Sequence, residues 1–200
     1  MTIEEQKASD EREIKMMHMA QIEEKLFIDP NEEIEHPPVC LSMGEHKMGS
    51  EVYPTPIATY GNIAFIQAPP KSTKTFFVSL LSAAYLGGNS TGYTKGIQGH
   101  RDDKCLIHFD TEQGRFHAQR VFKRVLRMTG LTNECYHTYG LRGLDYNERV
   151  DFIEYCLDRK DLQPGLVVID GVADLLSDVN NIDESNKLIQ KLMAWSSKYK

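Results

Sequence analysis

The chain has 200 residues, of which 40% are hydrophobic and 26% charged, and its net charge is −6. This length suffices for one domain with a buried core, plus some additional chain. The mild acidity excludes a general nucleic-acid-binding surface, so any such binding would need a local basic patch.

The N-terminal region, residues 1–37, is predicted to be an acidic helix followed by a linker. Residues 3–27 are charged and Met-rich, and Met19, Ile22 and Leu26 recur at helical spacing, which predicts an amphipathic helix that docks late or onto another subunit. This acidic start is unlike a signal peptide, and no apolar run has the length of a membrane span. We therefore expect a cytoplasmic protein without membrane contact.

Residues 38–200 are predicted to form one α/β domain in which strands and helices alternate. VCLSM predicts a short strand before the Gly-containing segment 44–61, and 87–104 predicts a long Gly-rich loop. The main strands are predicted at 63–67, 105–110, 136–141 and 165–170, and the helices at 74–86, 113–129, 145–159 and 183–199. Strands separated by helices of this length predict a parallel sheet, whose ligands bind at the carboxyl ends of the strands.

The first predicted strand leads into a segment that resembles a phosphate-binding loop. That loop is normally G-x-x-x-x-G-K-[ST], whereas residues 68–75 read A-P-P-K-S-T-K-T and lack both glycines. Lys74 and Thr75 open a helix, where free N–H groups, a lysine and a hydroxyl suit phosphate and Mg²⁺, and Lys71 adds a second charge. The alternative is an ordinary strand–turn–helix with solvated lysines, since phosphate loops normally need glycine.

Carboxylates follow two of the other strands. Asp170 ends the most apolar strand, LVVID, the form of a nucleotide-site aspartate that positions Mg²⁺, although many strands end in Asp as a turn residue. Asp110 and Glu112 follow the second strand, where a carboxylate can polarise an attacking water. Asp110 could equally cap the turn, and Glu112 could begin the following helix as a charge favourable to its dipole.

Two further features of the sequence have structural interpretations that are favoured over functional ones. Several cations lie along the second helix, and a solvated surface or subunit contact is favoured over a nucleic-acid site: Arg115, Arg120, Lys123, Arg124 and Arg127. The Phe76–Phe77 pair is most simply part of the core.

With these motifs in place, the chain resembles the RecA-like ATPases. The segments that carry the resemblance are APPKSTKTFFVSLL, IHFDTEQGRFHAQRVFKRV and GLVVIDGVADLLSDVNNIDES. The likeness is to the RepA/DnaB/KaiC-type branch of ring-forming P-loop proteins, and within it to AAA-family ATPases of Bacteroidetes-type plasmids and mobile elements. It covers roughly residue 38 to the end and implies a three-layer α/β/α fold with a mainly parallel sheet.

The resemblance also implies roles for individual residues. Loops of this group often read G-K-A-K-S-x-K-T, so Thr73 follows the pattern, while Ala68, Pro69 and Pro70 depart from it. Glu112 corresponds to the catalytic base, Asp170 to the metal-site aspartate, and Arg142 to a candidate active-site neighbour. The expected nucleotide-binding residues are Ala68, Lys71, Ser72, Thr73, Lys74, Thr75 and Phe76, with Lys74 also catalytic and Thr75 a Mg²⁺ ligand.

Function and completeness follow from the same resemblance. It implies a ring-forming ATPase that uses ATP and Mg²⁺. The implied role is work on DNA, of the helicase type, in plasmid or element replication. The alternative is a regulatory or scaffold protein whose degenerate loop binds nucleotide without hydrolysis. RecA-like sheets have the strand order 3-2-4-5-1, and the chain ends at Lys200 before a fifth strand, so we expect a C-terminally incomplete core.

Overall fold

The computed structural model describes residues 3–69, 72–87, 92–94, 96–130, 132 and 134–199, and it divides into two compact units, Met1–His36 and Pro37–Lys200. Two residues of the predicted phosphate loop, Pro70 and Lys71, lie outside the described residues. None of the described helices is long and apolar enough to cross a membrane.

The first unit contains one long helix, α1, at Ile3–Leu26. This helix was predicted, and its sequence has no glycine or proline to interrupt it. The predicted amphipathic character is wrong, because its apolar side chains are distributed around the helix instead of along one face. Ile14, Met16 and Met17 are each more than 60% exposed, so they give the helix no apolar stripe to bury.

The second unit begins with a small antiparallel sheet in the order β2-β1-β3. Its strands are β1 at Val39–Met48, β2 at Glu51–Thr59 and β3 at Ile97–Gly99. The expected short strand at 39–43 is therefore one arm of a longer hairpin that turns at Gly49, where φ is 64°. A loop throughout 87–104 was also wrong, because β3 pairs with β1.

The central sheet is parallel, with strands β4 at Cys105–Asp110, β5 at Tyr136–Gly140 and β6 at Pro164–Asp170 in the order β5-β4-β6. The helices are α2 at Lys74–Gly87, α3 at Arg115–Thr129, α4 at Tyr146–Asp158 and α5 at Ile182–Lys198. These elements confirm the prediction of an α/β domain with a parallel sheet. The predicted second strand lies between the third and the fourth, an order also expected from the resemblance.

The hydrophobic core has two parts, one on each face of the parallel sheet. Alternate residues of β4 point to opposite faces, as the strand period requires. Leu106 packs with buried residues of α2 and α3, whereas Ile107 and Phe109 pack with those of α4 and α5. Helices therefore cover both faces of the sheet, and the carboxyl ends of β4, β5 and β6 meet at one edge.

The predicted buried strand at 63–67 is wrong. These residues are irregular and exposed, with Phe65 60% accessible, and no backbone hydrogen bond joins them to any other described residue. A strand needs a neighbour to satisfy its backbone groups. Among the described residues, no strand of either sheet pairs with 63–67.

Candidate functional site

The turn before α2 has the backbone shape of a glycine turn, although a threonine stands there. Thr73 has φ of 65°, in the left-handed region that β-branched residues rarely adopt. This is the position of the second glycine in the phosphate-loop pattern. The Thr73 carbonyl accepts bonds from the amides of Phe76 and Phe77, at 2.9 and 3.2 Å, and so begins the helix. The turn therefore forms with threonine in place of the pattern's glycine, at the cost of backbone strain.

A Thr73→Gly variant is expected to be more stable than the wild type by about 0.5 kcal/mol. Relief of the left-handed strain, about 1–2 kcal/mol, exceeds the entropy that glycine loses on folding, about 0.5–1 kcal/mol. Urea unfolding followed by circular dichroism measures this difference. Ser72→Gly is the matched control: Ser72 is not among the positive-φ residues, so its variant should be less stable. Equal behaviour of the two variants would contradict the strain assigned to Thr73.

Thr75 and Asp170 meet at the carboxyl edge of the parallel sheet. The Thr75 hydroxyl, in the first turn of α2, donates a 3.2 Å hydrogen bond to Oδ2 of Asp170 at the end of β6. These residues are 95 positions apart in the chain. The structure thus brings together the two residues for which the sequence predicted Mg²⁺ contacts. Lys74 precedes Thr75 at the first position of the helix and is half-buried.

Asp110 and Glu112 have different environments beyond β4. Asp110 is buried, and its Oδ1 accepts bonds from the amides of Glu112 and Gln113, at 3.2 and 2.7 Å, so it caps the turn. Burial raises the pKa of the Asp110 carboxyl, and the nearby Asp170 charge acts in the same direction. Glu112 is exposed and precedes α3 by three positions, so the idea that it begins that helix is wrong. Its carboxylate is free to face a ligand.

Thr111 joins the ends of β4 and β6. Its amide donates to the Asp170 carbonyl at 3.1 Å, and its hydroxyl lies 2.9 Å from both the Gly171 carbonyl oxygen and Asp174 Oδ2. Gly171 has φ of 103°, and a Cβ there would lie 2.1 Å from Thr111 Oγ1. These contacts fix Asp170 relative to the turn that carries Glu112.

An open cleft of about 390 Å³ lies next to this junction. Its lining residues are Thr111, Glu112, Arg142, Arg149 and Asp174. The Arg149 guanidinium donates to the carbonyls of Asp174, Leu141 and Arg142, at 2.6, 3.2 and 3.3 Å, so its role is to hold the loops together. Arg142 is exposed and lines the same cleft as Glu112, and its role as an active-site neighbour stays a prediction.

The remaining predicted residues are spread along the loop and the first turn of α2. Ala68 is half-buried and Ser72 exposed, and the Ser72 amide donates to the Pro69 carbonyl at 3.2 Å. Phe76 and Phe77 are 55% and 46% exposed, so the interpretation of this pair as core is wrong. The Phe76 ring instead lies under the Arg124 guanidinium, whose carbon is 3.7 Å from the ring centroid.

The donor set at Thr75 and Asp170 fits a Mg²⁺ ion that is bound together with phosphate. One hydroxyl and one carboxylate face each other at a helix start, which is where anions bind. The described residues contain no group of three or more His, Cys, Asp or Glu side chains able to hold a metal. Phosphate and water would therefore complete the coordination, as Mg²⁺ prefers.

The chain matches no family model, and no curated protein or solved structure is similar to it. The sequence did not single out Thr111, Arg149 or Asp174 as functional residues, although Thr111 and Asp174 lie within segments that carry the resemblance. Their importance comes from hydrogen bonds between separate loops, which residue spacing does not reveal.

Proposed function

We propose that the protein is an ATPase of the RecA-like P-loop class. The observation that carries the proposal is the contact between Thr75 and Asp170, at 3.2 Å across 95 residues. In such enzymes a loop hydroxyl and a strand-end aspartate hold the metal beside the nucleotide phosphates. The left-handed turn at Thr73 and the helix start at Lys74 supply the adjoining phosphate site.

Each site residue has a defined task in this proposal. Lys74 and the amides at the start of α2 bind the phosphates, and Thr75 and Asp170 hold the Mg²⁺, which neutralises phosphate charge. The exposed Glu112 carboxylate accepts a proton from the attacking water. Arg142 lies in the same cleft and stabilises negative charge there. Following the resemblance, hydrolysis is proposed to support work on DNA by a ring of identical subunits.

ATP hydrolysis by the full chain tests this function. Lys74→Ala should lower both ATP binding and turnover, the latter by about 100-fold or more, because phosphate charge loses its main partner. Glu112→Gln should retain binding and lose turnover to a similar extent. Lys160→Ala, at an exposed lysine before β6, is the control and should retain both. Turnover that survives Lys74→Ala would overturn the assignment of the loop.

A second candidate is a nucleotide-binding regulator or scaffold that does not hydrolyse ATP. The exposed and unpaired segment 63–67 favours it, because the loop lacks a rigid strand behind it. Isothermal titration with MgATP distinguishes the candidates: binding without turnover in the wild type selects the regulator. If the chain binds no nucleotide at all, both candidates fail.

A further inference from the structure

Helix α3 presents a stripe of cations that form no ion pair with any acidic side chain among the described residues. The basic stripe consists of Arg120, Lys123 and Arg127, which are exposed and follow one another at intervals of three and four residues. Five of the 15 residues of α3 are Lys or Arg and none is acidic, and the neighbouring α2 has no acidic residue. This surface belongs to a chain whose net charge is −6.

The charges of α3 have no ionic partners within the described part of the chain. The ion pairs found there join Lys191 to Glu154, Lys198 to Asp158 and Arg159 to Asp161. These pairs lie on the other helices and the loop before β6. Burial and then the charge of Arg120 lower the pKa of Arg124, as expected for cations crowded together. An anion bound on this surface would relieve that repulsion.

Aromatic rings are exposed beside the same cations. Phe116 is 68% exposed and lies one turn before Arg120, and Phe76 of α2 is 55% exposed beneath the Arg124 guanidinium. From Phe116 to Arg127 the surface extends about 16 Å along the helix. A rigid helix thus carries apolar ring faces and uncompensated positive charges side by side. Single-stranded nucleic acids are bound by this combination, since bases stack on rings and phosphates contact the cations.

We infer that the α3 surface, consisting of the basic stripe with Phe116 and Phe76, binds single-stranded nucleic acid. The phosphates contact the stripe, and an unstacked base lies on Phe116. Duplex DNA fits less well, because its paired bases already stack on one another and leave no base face free to stack on the exposed rings. This inference concerns the DNA partner of the proposed function, and the biological role of the surface rests on that function. Binding itself can be measured without ATP hydrolysis.

An acidic protein segment is the competing occupant of this surface. The first 36 residues of the chain carry 11 acidic and 4 basic side chains, so a second copy could supply one. Such a segment would satisfy the cations but would not require flat ring faces. Nucleic acid accounts for both the charges and the rings, and it is the occupant favoured here.

Fluorescence anisotropy with a labelled 20-mer of oligo-dT and the full chain tests the inference. Three contacted phosphates predict a slope of about −2 in log K against log salt, or a loss of roughly 20-fold between 50 and 200 mM NaCl. The triple variant Arg120→Glu, Lys123→Glu and Arg127→Glu should lower affinity at least about 10-fold. Its control reverses three exposed lysines elsewhere, Lys47, Lys160 and Lys187, and should bind like the wild type.

Separate variants distinguish stacking from charge and binding from ATP hydrolysis. Phe116→Ala should weaken binding about 5-fold and leave the salt slope unchanged, because one base loses its ring. Lys74→Ala should bind the oligonucleotide like the wild type. Oligonucleotide binding and ATP hydrolysis are therefore tested independently, and failure of the ATPase proposal would not decide the nucleic-acid proposal. Circular dichroism confirms that each variant is folded.

Several results would overturn the inference. These are absence of oligo-dT binding at 50 mM NaCl, equal losses in the two triple variants, or tighter binding to duplex DNA than to the single strand. Sedimentation velocity tests the competing occupant. If the wild type self-associates in a salt-dependent manner that the stripe variant abolishes, while oligo-dT binding is unaffected, then α3 is an interface between copies.

Discussion

Replacing Gly171 with alanine is expected to lower the free energy of unfolding by about 3 kcal/mol. Gly171 has φ of 103°, which costs an alanine on the order of 1 kcal/mol. Its Cβ would also lie 2.1 Å from Thr111 Oγ1 and 2.8 Å from Glu112 Cγ. Relieving these overlaps requires movement of the packed turn, at a cost of about 1–3 kcal/mol.

The same variant should disturb the site, because Gly171 follows Asp170 directly. Movement of the turn breaks the Thr111 contacts that hold the ends of β4 and β6 together. We therefore expect MgATP affinity to fall along with stability. Urea unfolding and isothermal titration measure the two effects. Gly143→Ala is the control, since nothing lies within 4 Å of its Cβ position, and it should stay within about 0.5 kcal/mol of the wild type. A Gly171→Ala protein as stable as this control would refute the account.

The parallel sheet could be predicted because each of its strands has a local signal. The runs at 105–110 and 165–170 are largely apolar, and 136–141 is rich in aromatic and β-branched residues. All three are short, bounded by turn residues and followed by a helical pattern. Alternation of this kind leaves few topologies for a sheet. The structure places the three strands within one residue of the predicted ends.

The segment at 63–67 has the same apolar signal but forms no strand. Whether an apolar run becomes a strand depends on a partner distant in the chain, and composition does not show whether that partner is present. The hairpin β1–β2 was missed for the opposite reason. Pro54 and Pro56 lie within β2 and obscure its strand pattern, since proline is usual only on edge strands, which β2 is.

The candidate site could be predicted in part, through residues that belong to motifs. Thr75 lies in the first turn of α2 and Asp170 ends β6, and both belong to motifs visible in the sequence, which predicted that they share a site. Thr111 and Arg149 act through hydrogen bonds to backbone carbonyls of other loops. Such contacts depend on three-dimensional loop geometry, which no spacing in the sequence encodes.

His108 should make the protein sensitive to mild acid. It is fully buried on β4, its Nδ1 lies 3.0 Å from the Tyr136 hydroxyl, and its Nε2 has no partner among the described residues. Burial lowers the pKa of His108 to about 4. The unfolded chain, with an ordinary histidine pKa near 6.5, therefore binds a proton more readily than the folded protein. Stability contributed by the neutral ring is present above pH 6.5 and is lost as the pH falls from about 6.5 to about 4.

Urea unfolding of the wild type and of His108→Asn at pH 7.5 and pH 5.0 measures this contribution. Between these values the buried histidine should cost the wild type about 2 kcal/mol, a loss that asparagine cannot show because it does not titrate. Any packing defect in the variant is present at both pH values and cancels in the comparison. His46→Asn, at an exposed histidine of β1, controls for the substitution and should keep the wild-type difference. If His108→Asn loses as much stability on acidification as the wild type, the buried ring is not the acid-sensitive group, and other titrating groups account for the pH dependence.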